Sequence, residues 1–306
     1  MADETDANHA MTQPASSPQV SNQESVRKRM NISLREIGIP PRPTILEAIE
    51  QEMAREEPDL NRLGHLLRSD VALAAGLIKT ANSPILGLSK KVSSPREAML
   101  LLGLRYVVQV IAGLSLRQVF SHLPDMERFW DSSARIAEIS AWLCNHLLPH
   151  GELLPEDVHT FALFRDAGIP SLIIHIDDYR ALLAIANTEA ERSFTAVEQE
   201  EIGIDHAQIG ARLASEWLLP ERLAIAIAHH HETAAIQGNS PEVLPLPIRQ
   251  IIALTQLAEY IFQIRTGLAM TCEWKKLAPA CLSTLALPPE NIGELVRLSR
   301  EAEVGN

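Results

Sequence analysis

Apolar positions along this chain recur at three- and four-residue spacing, the period of a helix with one buried face. The clearest stretch is DHAQIGARLASEWLLPERLAIAIAHHHE, residues 205–232. Asp205 is a suitable N-cap, with Gln208 as its capping-box partner three residues on. Ile209, Leu213 and Trp217 form a stripe behind it, and His206 shares their inward face. Leu219-Pro220 ends that helix and opens another, in which Leu223 and Ile227 put His230 and His231 on the continuation of their stripe. Successive helix residues turn by ~100°, so the run His229, His230 and His231 cannot converge as a whole.

Upstream the same period predicts five short helices. One starts at Thr44 with Ile45, Ala48, Ile49 and Met53 along one side, and another opens at Pro58-Asp59-Leu60. Asp70 caps a third, which stops at Asn82-Ser83-Pro84 before a loop through Gly87. Ser94-Pro95-Arg96-Glu97 is the strongest helix start, with Pro at the first helical position and Glu at the third. Gly103 then separates it from a helix over about 105–120.

After a turn-rich break at 121–125, helices are predicted over 126–148, 155–167, 171–175, 178–186, 205–217, 220–231 and 246–266, with weaker ones near 274–285 and 290–302. Gly168-Ile169-Pro170 reads as a break, 233–246 as a loop, and the acidic run 198–201 as a solvated face. No stretch shows useful strand alternation. The expected fold is all-α, with a five-helix bundle at 31–122 packed on a helical subdomain at 123–270 and C-terminal helices at 271–306. Residues 1–30 hold almost no large apolar side chains and are expected to be a disordered tail.

Composition narrows the function classes. The net charge of −12 argues against general nucleic-acid affinity. No apolar run approaches the ~18 residues of a membrane span, and the polar N-terminus is not a signal peptide. Three cysteines, Cys144, Cys272 and Cys281, without C-x-x-C spacing fit small core residues in a reducing cytoplasm. There is no phosphate loop and no Gly-x-Ser-x-Gly elbow.

Several segments carry a family resemblance in the right order. They are the Pro-rich lead-in at 40–43, Asp70 with its Leu/Ala helix, Ala81-Asn82-Ser83, Leu88, Ser94 with Ala98, and Leu102-Gly103. Phe129-Trp130, the stretch 161–170, Asp205-His206 with Gly210, Leu219-Pro220 and His230-His231 follow. Over roughly 33–265 the chain resembles an HDOD domain, a regulatory relative of the HD phosphohydrolases. Catalytic relatives hold metal with a His on the first long helix, a His-Asp pair, downstream histidines and a last acid. Position by position these correspond to Ser132, Arg165-Asp166, His206 with His230 or His231, and Glu259. The Gly-Tyr-Pro segment of the HD-GYP subfamily is absent after His231-Glu232.

The resemblance implies a bacterial-style signalling module, expected to bind a protein partner and to have no catalytic residue, resident metal or cofactor. The competing expectation is a metal-dependent phosphohydrolase acting on nucleotides or cyclic dinucleotides. A serine is a poor ligand, and Arg165 puts a permanent cation where a ligand should stand. Arg165 is therefore expected to neutralise a buried acid, Glu259, or to hold a small anionic ligand. Pairing with Asp166 is not expected, because adjacent helix residues do not face each other.

Overall fold

The computed structural model describes residues 37–83, 90–239 and 243–304, so the tail at 1–30 and the loop through Gly87 with Leu88 lie outside the described residues. Within them the chain is helical, and no strand is present. The first five helices are α1 (Thr44–Met53), α2 (Leu60–Ser69), α3 (Val71–Ala81), α4 (Pro95–Leu102) and α5 (Leu104–Val119). Their starts follow the local chemistry. Asp59 and Asp70 accept from the first free N–H groups of α2 and α3, and Ser94 does so for α4. Glu97 closes its capping box one residue early, accepting from Ser93 N at 2.7 Å. Asn82 does more than stop α3. Its amide bonds both the N–H and the C=O of Val92, at 2.8 and 2.7 Å, and clamps α3 to the start of α4.

The second set is α6 (Glu127–Leu147), α7 (Pro155–Phe164), α8 (Gly168–His175), α9 (Tyr179–Thr188), α10 (Phe194–Ile202), α11 (His206–Glu216) and α12 (Glu221–Ala228). It continues with α13 (Thr233–Gln237), α14 (Leu246–Thr266), α15 (Glu273–Thr284) and α16 (Ile292–Val304). Two expectations need correction. Gly168-Ile169-Pro170 opens α8 and does not merely break α7, since Pro suits a first turn. The expected loop at 233–246 begins with the short α13, whose Ala235 and Ile236 are buried.

One hydrophobic cluster runs from Leu46 through α5, α6, α12 and α14 to Val296, so the first five helices share a core with much of the second set. A smaller one gathers Ile37, Leu172, Tyr179, Val197 and Ile209. Helix α14 is buried nearly all round, Thr255, Gln256 and Gln263 included, as befits a central helix. A polar seam ties α5 to α7 and α12: Asp157 accepts from Gln109 at 3.1 Å and from Arg222 Nε at 3.0 Å. Trp217 donates to the Pro40 carbonyl at 3.0 Å, which seats the Pro-rich lead-in.

Buried in the same region, His159 meets Tyr106 edge-on and its Nδ1 has no partner. Burial alone pushes its pKa down to about 4. The unfolded chain, titrating near 6.5, binds this proton first as pH falls, so stability is intact above about 6.5 and is lost toward 4. We expect denaturation at pH 5 to show about 2 kcal/mol less stability from this residue than at pH 7. The acid sensitivity of His159→Phe should be smaller by that amount, and an unchanged pH profile would contradict the assignment.

Candidate functional site

The site is built where two helix starts cross. Gly168, at the head of α8, lies so close to α11 that an added Cβ would stand 2.1 Å from the His206 carbonyl oxygen. Gly210, one turn into α11, faces Gly168 N and the Arg165 carbonyl at 3.4 Å from its own notional Cβ. Two glycines thus let the α7–α8 junction and α11 approach backbone to backbone, which brings His206 to Asp166. His230 and His231 arrive from the other side. They do not continue the α12 stripe as expected: α12 ends at Ala228, and the turn behind it directs both rings inward. His229 is the one that faces elsewhere, bonding Glu232 at 3.0 Å.

The three inward rings meet through their Nε2 atoms. His206 Nε2 lies 3.3 Å from His230 Nε2 and 3.2 Å from His231 Nε2. Asp166 Oδ1 stands 3.6 Å from His206 Nε2 and 3.5 Å from His230 Nε2. Each Nδ1 is committed outward, His206 to Glu198 at 2.7 Å, His230 to the Ile227 carbonyl at 2.7 Å and His231 to Glu273 at 2.6 Å. Phe194 stacks on His231 and meets His206 edge-on.

The electrostatics follow from this packing. For His206, burial would lower the pKa, but Glu198, Asp166 and Asp205 outweigh it and raise it to about 9. Burial and the neighbouring His230 push His231 down to about 3, against the pull of Glu273. Burial would raise Asp166, yet Arg165, His230 and His206 hold its carboxyl well below the usual range. Glu259 is raised, by burial first, in spite of Arg165.

Arg165 meets its expected partner: Nη2 lies 2.9 Å from Glu259 Oε2. It also pairs with Asp166, Nε to Oδ2 at 3.0 Å, against expectation. The argument from helix faces fails here because both residues lie beyond the end of α7 at Phe164. Ser132 lines a cavity of about 320 Å3 with Arg165 and Glu259, and the histidines line an adjoining one of about 210 Å3. Arg165, Asp166, Glu259, Phe129 and Ala269 border both. All seven residues singled out in the sequence therefore come together.

A metal held as in catalytic HD relatives does not fit this chain. The guanidinium of Arg165 occupies the space between Asp166 and Glu259, and Ser132 offers only a hydroxyl. Sequence reasoning missed the outer carboxylates. Glu198 was expected on a solvated face but is fully buried, accepting from His206 N, His206 Nδ1 and the Tyr179 hydroxyl. The signal was there: Phe194, Val197, Glu198 and Ile202 form one stripe at helical spacing. Glu273 pairs with both His231 and Lys276, which holds its carboxyl down at about 2 although burial opposes it.

Comparison with known proteins agrees with the architecture. An uncharacterized protein of Treponema pallidum (strain Nichols) is 26% identical over 197 residues, which are 63% of this chain and 37% of that protein. The chain thus spans little more than a third of that relative's length. A solved structure from Marinobacter aquaeolei VT8, provisionally named a signal transduction protein, matches with a TM-score of 0.63 at 20% identity, over 92% of this chain and 63% of its own. One from Shewanella amazonensis SB2B, provisionally named a phosphohydrolase, matches with a TM-score of 0.61 at 19% identity, over 88% and 93%. The HDOD domain family matches residues 39–233, well over half of the chain, and the chain belongs to that family.

Proposed function

We propose that this chain is a regulatory, signal-transducing module that binds a protein partner or a small ligand and turns nothing over. The observation that carries the reading is Arg165. Its guanidinium joins Asp166 to Glu259, and a permanent cation there takes the electrostatic place that hydrolysis would give to a metal ion. The same residue offers a ligand contact. Its Nη1 is buried without a partner, and a guanidinium suits phosphate or carboxylate groups. The signal-transduction name of the Marinobacter relative supports the same reading. Neither nucleic acid nor a membrane is proposed as a partner. The charge of −12 opposes a polyanion, and no helix among the described residues is long and apolar enough to cross a membrane.

The full chain, given manganese and a panel of phosphomonoesters, phosphodiesters and cyclic dinucleotides, is expected to release no product above buffer. Turnover that vanishes in Asp166→Asn would overturn the proposal. A tagged copy cross-linked in its native cell should retain one partner at near-stoichiometric yield, or the protein should show a saturable thermal shift with a small anion.

A further inference from the structure

Another cavity, of about 150 Å3, lies where α1 and α5 meet the turn between α11 and α12, and it shares no lining residue with the two cavities around Arg165. Leu46, Met53, Val108, Ala112 and Trp217 give it an apolar wall. An apolar cavity of about 150 Å3 is large enough to hold benzene. Most polar groups around it are committed. Gln109 donates to Asp157 and accepts from Thr160, and Trp217 donates to the Pro40 carbonyl. Arg42 is the exception. One end of its guanidinium pairs with Glu50, but its Nε is buried with no hydrogen-bond partner. Arg105 lines the same cavity, half-exposed and at a loose 3.6 Å from Asp157, an acid that Arg222 Nε already holds at 3.0 Å. Two cations thus stand against one acid, Glu50, among the lining residues.

The turn supplies an independent sign. At the end of α11, Leu218 N bonds the Ser215 carbonyl at 3.0 Å and Leu219 N bonds the Ala214 carbonyl at 2.9 Å. That pair of bonds needs a left-handed residue, usually glycine, at the position Leu218 fills with φ +58. The other non-glycine residues with positive φ among the described residues are aspartates and alanines. Leu218 is 65% exposed and lines the cavity. A large apolar side chain on strained backbone, with little burial of its own, has a use if it closes over a ligand. We propose that this cavity binds a small monocarboxylic acid with a benzene-sized apolar body. The body packs against Val108, Ala112 and Trp217, Arg42 Nε donates to the carboxylate, and Leu218 covers the ring. A guanidinium suits a carboxylate, and a ligand seated here touches the first helices and the second set at once. The inference goes beyond the binding-module proposal and is independent of the site around Arg165.

Calorimetric titration of the full chain with benzoate tests it, with benzyl alcohol and acetate standing for the apolar and anionic halves alone. The expected result is saturation at one equivalent of benzoate, bound at least about 10-fold tighter than either half. Arg42→Gln should weaken benzoate by roughly 10–100-fold, the loss of a hydrogen bond to a charged group. Leu218→Gly should weaken it several-fold while the free chain melts no lower, because glycine relieves the left-handed backbone. Ser132→Ala, in another cavity, should bind benzoate as the parent does. If Arg42→Gln fails to fold, Leu218→Gly decides. No binding by folded protein, equal affinity for benzyl alcohol or acetate, or an affinity unchanged in either folded variant would overturn the site. An anion held by Arg165 is told apart because its binding survives Arg42→Gln, and none of these results bears on the turnover assay or the partner experiment.

Discussion

Arg165→Ala is expected to lower stability by about 3–5 kcal/mol, the cost of removing one partner from a buried ion pair. The residue is 4% exposed, and its guanidinium is the cation that faces both Asp166 and Glu259. Without it two partly buried acids are left beside each other with no cation between them. The acid dependence should change as well. Asp166 has a folded pKa well below its unfolded value, so its pairing adds stability at neutral pH that is lost as pH falls through the carboxylate range. In the variant much of that acid-labile part should be gone. Arg165→Lys should recover only part of the loss, because one ammonium cannot reproduce the planar fork that spans two carboxylates. Chemical denaturation at pH 7 and pH 4 measures both effects. A variant within about 1 kcal/mol of the parent at pH 7 would show that Asp166 and Glu259 are balanced by something other than Arg165.

Gly168→Ala is expected to be comparably damaging for a purely steric reason. The new methyl would stand 2.1 Å from the His206 carbonyl oxygen, 2.8 Å from its carbon and 2.9 Å from its Cα. Overpacking commonly costs about 1–3 kcal/mol, and the obstacle here is backbone that cannot rotate away, so we expect the upper end or beyond. The clash also displaces the His206 backbone, so the melting temperature should fall. Gly293→Ala is the matched comparison. Its methyl meets nothing within 4 Å in an exposed stretch of α16, and a helical Gly→Ala change should be neutral or stabilising by up to about 1 kcal/mol. Similar melting temperatures for the two variants would refute the close-approach account.

Helix starts were legible because capping is local. Asp70, Ser94 and Asp205 each bond an N–H within three residues, so a short window of sequence holds the whole interaction. The meeting of Arg165 with Glu259 was legible through the family pattern, which aligns positions that local spacing cannot connect. The outer carboxylates were not. Glu198 lies in an acidic run, and only tertiary packing against Tyr179 and His206 shows which of its members faces inward. Glu273 begins a helix whose pattern is weak, and its partner His231 is 42 positions away. The inward turn of both His230 and His231 was hidden by the location of the α12 end, since helix boundaries depend on long-range contacts as much as on sequence.

The donors at 166, 206 and 230–231 come from three segments that are distant along the chain and adjacent only after α7, α11 and α12 have docked. Bringing such segments together costs loop-closure entropy before any contact repays it, so the pocket is absent from early, locally helical states. Anything that binds there recognises the finished tertiary structure and not the unfolded chain. Its occupancy is therefore coupled to the folding equilibrium, and at 100 times its dissociation constant it would add about 2.7 kcal/mol. Abundance in a cell would then report on whether the pocket is filled, because the unfolded fraction open to proteolysis shrinks as occupancy rises.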